Sequence, residues 1–226
     1  MTRKQRYPRF IVFFGSDGAG KSTQAQLLRG YLKSHGHRTR TAWLRGRHSL
    51  AFVIAKFFTK MGYHRIVKVP SGVTYRVFDP GLLPSLQRFW GAIEFLSVLP
   101  WIILRVYLPR ALGYTVVAER YVVDTVAYLS YWLGKDFLQS FLAKVLLSFI
   151  PQGSVLIHLD AETQDLLERL KRIRYDTATK DYIVFQQRIY RILSRTMMAT
   201  TINTSKYNVD ETFQRILNVI NAQYGN

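Results

Sequence analysis

Phe10-Ile-Val-Phe-Phe-Gly-Ser-Asp-Gly-Ala-Gly-Lys-Ser-Thr-Gln24 is the stretch that decides how this chain folds. Its first five residues are a continuous apolar run, the pattern of a parallel strand buried on both faces. Gly15, Gly20, Lys21 and Ser22 then match the spacing Gly-x-x-x-x-Gly-Lys-Ser. Beyond them Leu27, Leu28, Tyr31 and Leu32 recur at helical spacing until Gly36, so a helix is expected from about Lys21. Strand, glycine loop and helix are the setting in which this spacing binds phosphate. The backbone N–H groups from Gly15 through Ser16, Asp17, Gly18, Ala19 and Gly20 turn toward one anion, and the helix start adds its positive dipole end. Lys21 then reaches the β- and γ-phosphates of ATP, the Ser22 hydroxyl is a ligand for Mg²⁺, and Thr23 supports the α-phosphate. Taken alone, the motif is compatible with phosphoryl transfer to water, to a protein or to a small acceptor.

Outward from the loop, the stretches Arg38 to Leu44, Tyr114 to Ala118 and Ser154 to Leu159 read as further strands, with helical patterns after them. Leu166, Leu167, Leu170 and Ile173 mark one helix. Phe213, Ile216, Leu217 and Ile220 mark the carboxy-terminal one, opened by Asn208 with Glu211 three residues on. A short strand near Ala199 to Asn203 completes a sheet of five. Parallel neighbours need crossover connections, so the fold class expected is α/β: a P-loop three-layer α/β/α domain with a central five-stranded parallel sheet. The interval from Arg47 to Gly113 reads as mostly helical, broken by Pro70, Pro80, Pro84, Pro100 and Pro109. With no repeat or linker in 226 residues, the chain 1–226 is expected to form one domain.

A hydrophobic share of 48% against 20% charged residues excludes a disordered chain, and the absence of cysteine excludes a disulfide framework. The formal charge of +18 suits an anionic partner: a nucleotide, a nucleic acid or an acidic membrane surface. No aromatic RNA-binding signature or zinc-finger spacing accompanies the charge, so nucleic acid is not the expected partner. The basic start Met1 to Arg6 is followed by too short an apolar run for a secretory core. The run Phe95 to Leu108 contains Pro100 and Arg105 and falls short of the roughly 18 apolar residues of a spanning helix. A cytoplasmic protein is expected, with peripheral membrane contact as the lesser alternative. The same run, with Trp101 and Tyr107 and flanked by Arg88, Arg105 and Arg110, is expected to be a buried core helix. Its alternative reading is a lipid-facing or homodimer-forming surface.

The loop and three further segments resemble thymidylate kinases and related nucleoside monophosphate kinases over nearly the whole length. The resemblance implies that Asp17, the acid within the loop, meets the acceptor sugar hydroxyl. Glu119-Arg120-Tyr121, followed by Ala127-Tyr128, is similar to that family's Asp-Arg-Tyr and Ala-Tyr segments. This implies Arg120 as a holder of acceptor phosphate, Glu119 as a group positioning magnesium or its waters, and Tyr128 as an acceptor contact. The basic stretch Glu168-Arg169-Leu-Lys171-Arg172-Ile-Arg174 resembles the family's mobile lid, about 169–181 here. Some thymidylate kinases carry a catalytic arginine where this chain has Gly18, and those without it use lid arginines. Arg169, Arg172 and Arg174 are therefore implied to stabilise the transferring group. Arg45, within Trp43-Leu-Arg45-Gly-Arg47, is implied for the acceptor phosphate, and His48 is expected to be a hydrogen-bonded loop residue. Phe89 best matches the family's base-stacking Phe. The implied reaction is ATP plus dTMP giving ADP and dTDP by direct in-line transfer with Mg²⁺.

Four positions depart from that pattern: Phe14 stands for Glu, Glu119 for Asp, Ile93 for Arg and Leu129 for Gln, with Arg88 a substitute for the lost arginine. Losing two polar base readers points to a changed or relaxed acceptor, since hydrogen-bonding sites discriminate strongly. A kinase of the same fold for another nucleotide, a sugar or a lipid headgroup is the alternative, followed by a non-kinase P-loop nucleotide-binding protein.

Overall fold

Phe10–Phe14 forms β1, all five residues buried, and it is the middle strand of the sheet. Successive strand side chains face opposite ways, so Phe10, Val12 and Phe14 enter one core while Ile11 and Phe13 enter the other. In the computed structural model, which describes residues 7–44, 48–68, 74–172 and 179–224, the chain continues through α1 (Lys21–Ser34), β2 (Thr39–Leu44) and α2 (Ser49–Lys60). A hairpin of β3 (His64–Lys68) and β4 (Thr74–Phe78) follows. Then come α3 (Pro84–Ile102), a π turn at Ile103–Tyr107, and α4 (Leu108–Ala111). The second half runs β5 (Thr115–Arg120), α5 (Val122–Leu133), α6 (Phe141–Ser148), β6 (Val155–Asp160), α7 (Thr163–Arg172), α8 (Lys180–Thr196), β7 (Thr200–Asn203) and α9 (Val209–Tyr224).

The sheet is wholly parallel in the order β2-β5-β1-β6-β7, flanked by helices on both faces: a P-loop α/β/α fold. Helices α2, α3, α5, α6 and part of α8 cover the face of Phe10, Val12 and Phe14, whereas α1, α7 and α9 cover the other. Because every strand runs the same way, the carboxyl ends of β1, β2, β5, β6 and β7 lie along one edge, where such sheets bind ligands. The capping box read at Asn208 is formed. Asn208 N–H donates to Glu211 Oε2 and Glu211 N–H to Asn208 Oδ1, both at 2.9 Å.

Two expectations for the interval before Gly113 need correction. It holds an antiparallel hairpin, whose strands His64-Arg-Ile-Val-Lys68 and Thr74-Tyr-Arg-Val-Phe78 are rich in β-branched and aromatic residues. Nor does Pro100 end its helix. Pro100 lies inside α3, and one helix runs from Pro84 to Ala111 through a π turn at Ile103–Tyr107. Pro84 occupies the helix's first turn, where its missing donor costs nothing. The expectation of a buried core helix holds for one face only. Trp90, Val98, Ile102 and Val106 are buried, while Leu96, Ile103, Leu104 and Leu108 are exposed.

Leu129 is fully buried in the core beneath α5. Leu129→Gln is therefore expected to lower the unfolding free energy in urea by about 3 kcal/mol, because it buries an amide among apolar groups. Leu129→Met should cost under about 1.5 kcal/mol.

Candidate active site

The loop between β1 and α1 has its shape because Gly15 passes so close to β6. A Cβ there would lie 2.1 Å from the Leu159 carbonyl oxygen, and its φ of +138° disfavours any side chain. Gly18, at φ +86°, is tight against the Leu166 carbonyl of α7, so the loop has little room for an arginine at that position. Phe14, the departure before the first glycine, is fully buried. It stacks on His158 at 5.1 Å and 11°, so a Glu in its place would be a carboxylate in the core. Burial pushes the His158 pKa down to about 4, leaving a neutral ring beneath the loop.

The Lys21 ammonium folds back onto the loop, donating to the carbonyls of Gly15 at 2.8 Å and Ser16 at 2.6 Å. Burial, followed by the nearby Arg120 guanidinium, lowers its pKa to about 8. Ser22 Oγ donates to Glu119 Oε1 at 2.6 Å, joining the first turn of α1 to the end of β5 across 97 residues. This hydroxyl and carboxylate are the two groups expected to hold magnesium, and the structure brings them together. Among the described residues no three His, Cys, Asp or Glu side chains converge. The chemistry of this donor pair fits Mg²⁺, which takes one or two protein oxygens and completes its shell with phosphates and water.

Arg120 lies at the centre of the site. Its Nη2 donates to Asp17 Oδ1 at 2.5 Å and its Nη1 to Asp124 Oδ1 at 3.0 Å, with all three side chains buried. Tyr190 of α8 donates to the same Asp124 oxygen at 2.8 Å, and Gln186 Oε1 accepts from Asp17 N–H at 3.4 Å. Burial pulls the Arg120 pKa down, but the carboxylates of Asp124 and Asp17 outweigh it and hold the guanidinium protonated. Burial raises the Asp124 pKa, against the pull of Arg120 and Lys21.

The backbone is strained to aim this side chain. Arg120 and Tyr121 have φ of +81° and +88°, a conformation costing on the order of 1–3 kcal/mol at each non-glycine residue. Tyr121 is pinned by N–H donation to Leu44 O at 3.1 Å and O–H donation to Phe149 O at 2.8 Å.

These groups open onto a cavity of about 910 Å³, within reach of a nucleotide's needs. Trp43, Glu119 and Arg120 line one part of it, and Arg169, Thr204, Tyr207 and Val209 another. Arg169 donates to Gly18 O at 3.3 Å, Thr204 Oγ1 at 2.9 Å and Thr204 O at 2.8 Å. With three protein oxygens engaged, it braces the loop against the end of β7.

The remaining expected residues are scattered. Arg172 is exposed at the last turn of α7. Arg45, Arg47 and Arg174, and 173–178 of the expected lid, lie outside the described residues. Asp17 is the exception, lining the cavity while buried and paired with Arg120. Phe89 is 62% exposed and lies off the cavity lining, as does Tyr128, half-buried against Trp132. Arg88 is exposed, and Ile93 packs against the core. His48 sits edge-on to Trp43 at 5.7 Å.

Sequence reasoning missed Asp124, Tyr190 and Gln186. The Arg120–Asp124 pair had a signal, since opposite charges four apart at a helix start adjoin. Nothing in the sequence linked α8 to β5.

No protein-family model matches the chain. Among solved structures it is similar to the thymidylate kinase from Ehrlichia chaffeensis, with a TM-score of 0.55 and 17% identity, over 95% of this chain and 98% of that one. At that identity the likeness establishes the fold.

Arg120→Met leaves Asp17 and Asp124 buried without their counter-charge. It is expected to lower the unfolding free energy at pH 7 by about 3 kcal/mol in urea titrations. Adding Asp124→Asn should restore part of that loss, because one uncompensated charge is removed.

Proposed function

We propose that this chain is an ATP-dependent phosphotransferase acting on nucleoside monophosphates, with thymidylate as the acceptor. The observation that carries this reading is the 2.6 Å Ser22–Glu119 hydrogen bond. It couples a phosphate-binding loop to the strand end that also bears Arg120, so donor and acceptor groups share one cavity. A fold similar to that of a thymidylate kinase supports the reading.

Loop N–H groups from Gly15 to Ser22 hold the donor phosphates, and Lys21 exchanges its two loop carbonyls for phosphate oxygens. Ser22 and Glu119 hold Mg²⁺, which supplies charge neutralisation at the donor phosphates. Arg120, which lines the cavity and is fixed by two carboxylates, orients the acceptor phosphate. An acceptor phosphate oxygen attacks the γ-phosphorus in line, the bond to the bridging oxygen breaks, and ADP leaves without a covalent enzyme intermediate. Arg172 and Arg174 supply further positive charge to the transferring group, while Arg169 keeps the loop in place. The protein is proposed to act as one domain in the cytoplasm.

The exposure of Phe89 and the burial of Leu129 favour a second reading, transfer to another phosphate acceptor, because neither can read a base in the cavity. A screen with γ-labelled ATP against nucleoside monophosphates separates the two. Labelled dTDP, reduced at least about a hundredfold in Arg120→Ala, is expected. ATP turnover that labels only another acceptor supports the second reading, and no labelled acceptor of any kind overturns the kinase proposal.

The depressed Lys21 pKa makes ATP binding pH-dependent. Below about pH 8 the ammonium is charged in the free protein; above it, binding the anionic nucleotide must recapture a proton. The Kd for ATP is therefore expected to rise above about pH 8, approaching tenfold per unit. Lys21→Arg, which stays charged, should lack that limb in fluorescence titrations.

A further inference from the structure

Between His48 and Gly113 the chain carries eight Lys and Arg but only two acidic residues, Asp79 and Glu94. Both acids are 1% exposed. The surface built by this segment therefore displays positive charge alone. It is also apolar. Leu50, Val53 and Phe57 are exposed at spacings of three and four along α2, and Phe89, Leu96 and Ile103 at spacings of seven along the helix Pro84–Ala111. These spacings place each set on one line of its helix. The two helices pack against each other, tied by Ala51 N–H donating to Ser97 Oγ at 2.8 Å and Trp101 Nε1 to Ser49 Oγ at 2.6 Å. The β3–β4 hairpin adds exposed Ile66, paired across the ladder with exposed Arg76. Lys56, Lys60 and Arg88 stand exposed beside the apolar lines.

We propose that the outward faces of α2, α3 and this hairpin form a docking surface for an anionic lipid bilayer. Apolar lines flanked by lysine and arginine are how a helix lies in a membrane interface: the apolar groups enter the acyl boundary and the long cationic side chains reach back to headgroup phosphates. The most apolar 18-residue window of the helix Pro84–Ala111 has a mean hydropathy of 1.6, and 33% of that window is buried. It does not span the bilayer, because its other face, with Trp90, Glu94, Val98 and Ile102, is part of the protein core. A second copy of the chain is the poorer occupant. Two such faces would bring Lys56, Lys60, Arg76 and Arg88 of both copies together, with no exposed carboxylate of this segment to pair them, on molecules of +18 each.

The test is co-sedimentation at physiological ionic strength with vesicles of phosphatidylcholine alone and with about a third phosphatidylglycerol. The full chain is expected to partition onto the anionic vesicles and not onto the neutral ones. Lys56→Gln with Lys60→Gln should lower that partition about thirtyfold, and Val53→Ser with Phe57→Ser at least about tenfold. Lys33→Gln with Lys206→Gln, exposed cations outside this segment, should change it less than about twofold. All three pairs are exposed and should melt like the parent. Three results would overturn the proposal: no preference for anionic vesicles, an equal loss from the Lys33 and Lys206 pair, or a serine pair that leaves vesicle binding intact while abolishing a concentration-dependent dimer.

Discussion

The buried fork between Arg120, Asp17 and Asp124 is the interaction on which the arrangement of the site depends. A guanidinium can be held out of water only where carboxylates compensate it, and a planar fork serves two of them with separate nitrogens. Each partner comes from a different element: Asp17 from the loop after β1, Arg120 from the end of β5, Asp124 from the first turn of α5. Closing this set sets the distance between the loop and the neighbouring strand. The Ser22–Glu119 bond then lies one residue away from it on the same strand end. The left-handed backbone of Arg120 and Tyr121 is tolerable for the same reason, since the fork and the Tyr121 anchors repay the local strain.

The phosphate loop is braced from both faces of the sheet. On one side Gln186 and Tyr190 of α8 reach Asp17 and Asp124; on the other Arg169 of α7 ties Gly18 to Thr204 after β7. Such cross-bracing keeps the N–H groups oriented before any anion arrives, so little reorganisation remains to be done on binding. Charge is arranged in the same spirit. Lys21 and Arg120 are each desolvated, and Asp17, Asp124 and Glu119 offset them, so the cavity floor is polar yet electrically matched. Eight of the 32 lysines and arginines, against two buried acids, lie in 48–113, beside the apolar lines of α2 and α3.

How much was legible in the sequence follows from the range of each interaction. The five strands of the parallel sheet were readable within two residues, the inner three because burial on both faces leaves continuous apolar runs, and the loop was readable because its spacing is set by backbone geometry. The hairpin at 64–78 was passed over although its β-branched residues announce it, since short antiparallel strands off the main sheet leave a weak pattern. Pro100 was taken as a break because propensity describes an isolated helix, whereas here packing on the core carries α3 past it. Arg169 was grouped with Arg172 and Arg174 through the resemblance to a lid, whereas it is bound to the loop.

By itself, then, the sequence determined the α/β class, the phosphate loop and the ends of the strands around it, all properties of local spacing and periodicity. Only the tertiary structure decided that Arg120 meets Asp17 across 103 residues and Ser22 meets Glu119 across 97. It alone turned Phe89 outward and Leu129 inward. The physical reason is that pairing between distant side chains depends on which strands become neighbours, and hydropathy counts apolar residues without saying which face of a helix the core will take.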